Sequence, residues 1–339
     1  MTTKMFTANK YGLAAIGTFL ALMIAGCGKE APSSAAPKPE QKPAAVAEEI
    51  PLNIGTLKIA ALSNLYAAEK LGYFKEEGLK VNFTQMGGGA ELLPAVSAGK
   101  IDITLSIPSS AIQAVDKGFD FRMVMQNETS ARQGEDSQAV FVNDDSGLSS
   151  MKAMKGKKVA VNNIKSQMWL SFAEVLQKHG VNKDDVHFIE VPFPNMADAL
   201  LNKQVDAVFN VEPFTSRMQS NPKLKVISYA ATEALPGQTL GAFWASDKWL
   251  AANSKAAQKF VNAMNKTNAY LSKHPDETHK MISEYTGIKL EAIQQMRPVI
   301  WDSKVDKNTL QGLIDLMKKH GLIKSDLKLE NVVYQTALN

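Results

Sequence analysis

From residue 56 onward short β-like runs alternate with helical stretches, and this rhythm limits the fold more than any other feature of the chain. The runs at 57–62, 79–85, 102–107 and 121–126 (LKIAAL, LKVNFTQ, DITLSI and FRMVMQ) are predicted strands. Between them, 64–77 places Leu65, Ala68, Leu71 and Phe74 at helical spacing and stops at Gly78. The 87–99 stretch opens at a glycine turn, and 108–118 begins with Pro108, which suits a first helical position. After Gly147 the rhythm restarts, with strands at 158–162, 186–191, 206–211, 225–230 and 239–246. An amphipathic helix is predicted over 166–180, with Trp169, Phe172, Ala173 and Leu176 on its apolar stripe. Beyond 246 the chain is helical, near 253–273, 275–285, 289–297 and 306–320. Strands joined through helices run parallel, so the fold class is α/β with mainly parallel sheets.

The order of these elements suggests one lobe that the chain enters, leaves and re-enters. Lobe one is predicted at 56–140 and 240–339, and lobe two at 141–239. The crossings, near Gln138–Asn143 and Gln238–Ser246, make a hinge of two crossing strands.

The first 27 residues read as an address. Lys4 and Lys10 precede an uncharged apolar run of 15 residues, Gly12 to Gly26. That is shorter than the roughly 20 residues of a membrane helix and fits a secretory signal. The run ends Ile24-Ala25-Gly26-Cys27, which resembles a bacterial lipobox. It implies cleavage before Cys27 and diacylation of that cysteine, enough for a stable anchor. Residues 28–54 are rich in Pro, Ala, Ser, Lys and Glu without periodicity, and are predicted to be a disordered tether.

Composition then excludes several classes. The formal charge of +4 falls to about +2 once Lys4 and Lys10 are removed, which gives no electrostatic case for nucleic acid. Cys27 is the only cysteine, so an internal disulfide, a cysteine zinc site and an iron–sulfur cluster are ruled out. None of the five histidines makes H-E-x-x-H, so no metal site is expected; His179 and His320 each precede a glycine at a predicted helix end. Ser149 and Lys152 match S-x-x-K without its partner motifs, and G-x-S-x-G is absent. No cofactor is expected.

Four stretches carry a family resemblance: 67–81 (AAEKLGYFKEEGLKV), 92–105 (LLPAVSAGKIDITL), 151–161 (MKAMKGKKVAV) and 199–214 (ALLNKQVDAVFNVEPF). With the C-terminal helices they cover nearly all of 56–339. The chain resembles ABC-importer substrate-binding proteins of the nitrate, sulfonate and taurine group, which also holds proteins for a thiamine pyrimidine precursor. The resemblance implies a two-lobed fold of the periplasmic-binding-protein type II kind, closing on a small molecule. A fungal pyrimidine synthase of the same superfamily uses a cysteine cluster, which this chain lacks, and an export signal argues against the cytosolic role of a related menaquinone-pathway enzyme.

In such sheets ligands sit beyond the C-terminal strand ends, near helix N-termini. The candidate ligand residues in lobe one are therefore Asn64, Tyr66, Gly88, Ser109, Ser110 and Asn127; those in lobe two are Ser166, Gln167, Asn195 and Glu212. Several have a plain alternative. Ser109 and Ser110 suit a helix cap, as does Asn195; Gly87–Gly89 suits a turn; Glu212 suits an ion pair at the hinge; Trp169 suits the core. Among cleft loops only Arg132 and Lys165 offer a cation, so an organic sulfonate, carboxylate or heterocycle fits better than bare nitrate. The expected function is capture of such a solute and its delivery to an ABC permease, by a lipid-anchored monomer. It would lie on the periplasmic side of a bacterial membrane, or at the cell surface of a Gram-positive cell. A sensory lipoprotein and a secreted enzyme on the same scaffold are the alternatives.

Overall fold

The computed structural model describes residues 49–87 and 89–335. The signal segment with Cys27, most of the tether, and Gly88 lie outside the described residues.

Two five-stranded sheets organise the chain. The first takes β1 (Ile50–Thr56), β2 (Leu79–Gln85), β3 (Ile103–Ser106) and β4 (Phe121–Thr129). The second takes β5 (Gln138–Asn143), β6 (Lys158–Val161), β7 (His187–Glu190), β8 (Ala207–Val211) and β9 (Leu224–Ser228); β10 (Thr239–Ser246) then returns to the first. The spatial orders are β2-β1-β3-β10-β4 and β7-β6-β8-β5-β9. β1 pairs parallel with β2 and β3, and β6 parallel with β7 and β8. β10 lies antiparallel between β3 and β4, as β5 does between β8 and β9. Each sheet thus has one reversed strand. In each case it is the strand that the chain builds first on arriving from the other sheet: β5 follows β4, and β10 follows β9 through the short Ala230–Ala234 helix.

The predicted strands from 79 onward and the four C-terminal helical stretches match the observed elements within a few residues, the latter being Ser254–Lys273, Pro275–Thr286, Leu290–Gln295 and Lys307–Lys319. The N-terminal edge differs. Residues 50–54, read from sequence as tether, are most of β1, where Leu52 and Ile54 are fully buried. Pro51 is compatible with that strand because it is near its start. Residues 57–62, read as a strand, form a turn and a single 3-10 turn, Ala60–Leu62, that leads into the Ser63–Lys70 helix.

The two lobes are joined by segments just ahead of β5 and β10. Ser130 N–H donates to Gln238 O at 2.9 Å, and Gly237 N–H to Ala131 O at 3.0 Å, so the crossings run side by side. A third segment follows them: Thr129 N–H donates to Ile300 O at 3.1 Å and Asp302 N–H to Asn127 O at 3.1 Å.

Aromatic packing fixes the cores. In the first sheet Phe243 meets Phe260 edge-on at 5.0 Å, and Phe260 stacks on Phe74 at 6.1 Å. In the second, Phe172 and Trp169 of the Gln167–Lys178 helix pack edge-on against Phe188 at 5.6 and 5.9 Å. Trp169 is 7% exposed, so it serves the core. The Lys307–Lys319 helix links the two, since Leu313 and Met317 share one apolar cluster with Met123 of β4 and Phe172. At its end His320 and Lys319 hold the Glu174 carboxylate at 3.0 and 2.7 Å. Burial alone would raise the pKa of Glu174, but these bonds and charges outweigh it and leave it lowered.

Candidate functional site

A cavity of about 280 Å³ lies where the strand ends of the two sheets meet. Sheet one contributes Ile59–Ala61 after β1, Leu105 and Ile107 at the end of β3, Glu128 near the end of β4, and Leu240 and Gly241 of β10. Sheet two contributes Ser137 and Gln138 at the start of β5, Asn162 after β6, and Val211 and Glu212 at the end of β8. Every parallel strand in this group points its C-terminal end at the cavity, the placement that open α/β sheets impose on ligands. A second, wider groove of about 930 Å³ shares Ile59, Leu105, Ile107, Asn162 and Ser166 with it and opens past Ser110, Gln113 and Lys165.

The start of the Gln167–Lys178 helix spans the gap. Ser166 caps the helix, its Oγ accepting from Trp169 N at 3.3 Å. Gln167, 4% exposed, donates through Nε2 to Thr239 O at 2.6 Å and to Gln238 Oε1 at 3.0 Å. Its Oε1 accepts from the backbone N–H of Ser109, at 3.3 Å, in the first turn of the Pro108–Asp116 helix. One glutamine therefore ties both lobes to a crossing segment.

Arg297 makes the second tie. It follows the Leu290–Gln295 helix, and its Nη2 reaches Glu135 at 2.7 Å, Tyr229 Oη at 3.3 Å, and Gln219. Its backbone N–H and Nη1 both address Glu212 Oε1, at 3.3 and 3.5 Å. Glu212 also accepts from Ser216 Oγ at 2.7 Å. Burial works against the Arg297 charge, but the Glu135 hydrogen bond and the neighbouring Tyr229, Glu135 and Glu212 overcome it and raise its pKa. The same Arg297 hydrogen bond holds Glu135 below the usual carboxylate range.

Glu128 has the opposite surroundings. Burial, and then the like charge of Asp136, push its carboxyl up to about 7. Asp136 is itself raised by burial, although Thr232 and Ser137 donate to it at 2.6 and 2.7 Å.

Of the residues that the sequence singled out, Ser166, Gln167 and Glu212 line the cavity, and Ser110 lines the wider groove. Ser109 is fully buried beside them, its Oγ without a hydrogen-bond partner. Asn64 and Asn127 are buried behind the wall: Asn64 Nδ2 donates to Asn127 Oδ1 at 2.6 Å and to Asn268 Oδ1 at 3.0 Å, while Asn127 Nδ2 donates to Ala61 O at 2.9 Å. Their network holds the loop after β1 in place. Tyr66 stacks on Tyr285 at 5.9 Å and donates to Glu284 at 3.0 Å, away from the cavity wall. Asn195 is exposed in the first turn of the Phe193–Leu201 helix. Arg132 pairs with Asp306 at 3.0 Å, and Lys165 lies on the wider groove. Sequence reasoning missed Arg297, Glu128, Asn162 and Gln238 as cavity residues. Glu128 stood in a recognised strand-end loop; nothing local marked Arg297. Among the described residues no group of three or more His, Cys, Asp or Glu could hold a metal ion.

Comparison with known proteins bears on the scaffold. The chain is 25% identical over 242 residues to a putative aliphatic sulfonates-binding protein of Bacillus subtilis, covering 70% of each. It is 23% identical over 236 residues to the 4-amino-5-hydroxymethyl-2-methylpyrimidine phosphate synthase of Aspergillus parasiticus, covering 66% of each. The crystal structure of the periplasmic aliphatic sulphonate binding protein of Escherichia coli superposes with a TM-score of 0.71 at 17% identity, over 84% of this chain and 92% of that one. The two-lobed mixed α/β architecture is therefore the periplasmic-binding-protein fold. The model of the NMT1/THI5 like family matches residues 60–278, which span every strand after β1 and the Ser254–Lys273 helix, and the chain belongs to that family.

Proposed function

We propose that this chain is the solute-binding component of an ABC importer, exported and lipid-anchored through Cys27. It captures a small organic molecule between its lobes and presents the closed form to a membrane permease. The observation that carries this reading is the cavity of about 280 Å³ walled by strand ends of both sheets, at the small end of the range for ligand pockets. Its walls are mostly apolar, with Ile59, Leu105, Met168, Phe193 and Leu240 facing a few polar groups, which suits an organic body rather than bare nitrate. The relatives named for sulfonate binding point to the same broad task. The half built on the first sheet, β1 to β4 with β10 and the helices after it, and the half built on the second, β5 to β9, act as the two closing halves. The crossing segments, joined by the Ser130–Gln238 and Gly237–Ala131 hydrogen bonds, act as the hinge. Burial of most of a small ligand supplies roughly −8 kcal/mol, a micromolar dissociation constant.

Among the described residues no helix is long and apolar enough to cross a membrane, so attachment in this reading depends on Cys27. Calorimetric titration with organic sulfonates, carboxylates, amines and heterocycles tests the proposal, with small-angle scattering to follow closure. One of these classes is expected to bind and to contract the protein. Tight nitrate binding with no organic ligand would overturn it, as would turnover of a bound organic compound by the purified chain.

A further inference from the structure

The charges around the cavity do not balance. Among its described wall residues, two are carboxylates, Glu128 and Glu212, and Arg297 is the only cation. Arg297 is already shared between Glu212, at 3.5 Å, and Glu135, at 2.7 Å. It has no charge left for an incoming anion. Glu128 has neither a hydrogen bond nor a cation acting on its carboxyl, and the charge that does act on it, Asp136, has the same sign. A second acceptor on the same wall, Asn162 Oδ1, is buried without a donor. On the donor side, the buried Nε of Arg297 is left without a partner.

A partly desolvated carboxylate with no counter-ion attracts a cation and repels an anion far more strongly than it would in water. Position reinforces the point. Glu128 pairs with Gly241 in the β4–β10 register, and a Cβ on Gly241 would stand 3.8 Å from the Glu128 Cβ and 3.3 Å from Leu105 Cδ1. The missing side chain keeps the approach to Glu128 open between apolar walls.

We propose that the cavity selects a small organic cation, a protonated amine or amidinium whose nitrogen donates to Glu128 and whose apolar body fills the remaining space. Asn162 Oδ1 offers the ligand a second acceptor, and the Arg297 Nε–H suits a carbonyl or hydroxyl on the same molecule. This deepens the solute-binding reading and rests on it.

The test is titration calorimetry of the full chain at pH 8 with matched probes. Butylammonium, benzylammonium and benzamidinium form one arm; butanesulfonate, benzenesulfonate and benzoate form the other. At least one cation is expected to bind more tightly than its matched anion, and Glu128→Gln is expected to weaken it at least tenfold. Glu128→Asp, which keeps the charge but retracts it, should fall between the two, and thermal melts verify that each variant is folded. Tighter binding of the anions by the wild-type chain overturns the proposal while leaving solute binding intact. So does a cation affinity that Glu128→Gln leaves unchanged. Silence in both arms overturns the cation proposal and counts against the solute-binding reading itself.

Discussion

Replacing Glu128 by Gln should stabilise the unliganded protein, and only above acid pH. The carboxyl has an ordinary value of 4.5 and is raised to about 7 in the fold, chiefly by burial. Below pH 4.5 the group is protonated in both folded and unfolded chains and contributes no difference. As pH rises from 4.5 through 7 the unfolded chain ionises first, so the wild-type protein loses stability across that window and the loss is complete above it. A displacement of that size corresponds to about 3 kcal/mol at 1.36 kcal/mol per pH unit. Glutamine has nearly the same shape and cannot ionise. For a body of this size about 3 kcal/mol is roughly 5 °C in melting temperature. Thermal melts of the wild type and Glu128→Gln at pH 4.5 and pH 8.5 provide the assay. The two should nearly coincide at the lower pH, with the variant about 5 °C higher at the upper. An equal gap at both values would refute the reasoning: the carboxyl would then be hydrated in the free protein, and the cavity wet.

The remaining predictions concern the ties between segments. Arg297→Met removes the guanidinium from Glu212, whose side chain is 7% exposed, and should cost about 3 kcal/mol by urea denaturation. Adding Glu212→Gln should recover much of that loss. Glu174→Gln should cost about 1 kcal/mol at pH 7, because the lowered pKa of Glu174 adds stability above its ordinary 4.5. That difference should close as the pH falls through the folded value, which stability curves at pH 7 and pH 3 would show. Cys27→Ser should release the protein into the soluble fraction with its ligand affinity unchanged; persistent membrane attachment would contradict the lipid anchor.

Much of the scaffold was legible because it depends on local periodicity. The stripe of Trp169, Phe172, Ala173 and Leu176 identified a helix whose apolar face is buried, as its contacts with Phe188 show. β10 spans residues 239–246, the same range that its apolar run indicated. Local reading failed at the first strand. Residues 50–54 follow a Pro- and Ala-rich tract and are too few to show an alternation of their own. They become strand only because β2 and β3 offer edges on either side.

The site was less legible than the fold. Asn127 and Glu128 are neighbours at one strand end, and the sequence favoured Asn127 for the ligand. The pairing of β4 with β10 is irregular here, with Gln126 opposite Ala242 and Glu128 opposite Gly241, so simple alternation does not assign the two faces; the structure turns Asn127 towards Asn64 and Ala61 and leaves Glu128 on the cavity wall. Arg297 is 85 residues from Glu212, so no sequence spacing could have joined them. The sequence by itself determined the alternation of elements, the helix starts such as Ser166, and the strand ends at which a ligand site forms, because each follows from chain-local sterics and patterning. Tertiary structure alone decided which strand-end face looks into the gap and which charges neutralise one another there. Those outcomes depend on distances between segments far apart in the chain, which only folding sets.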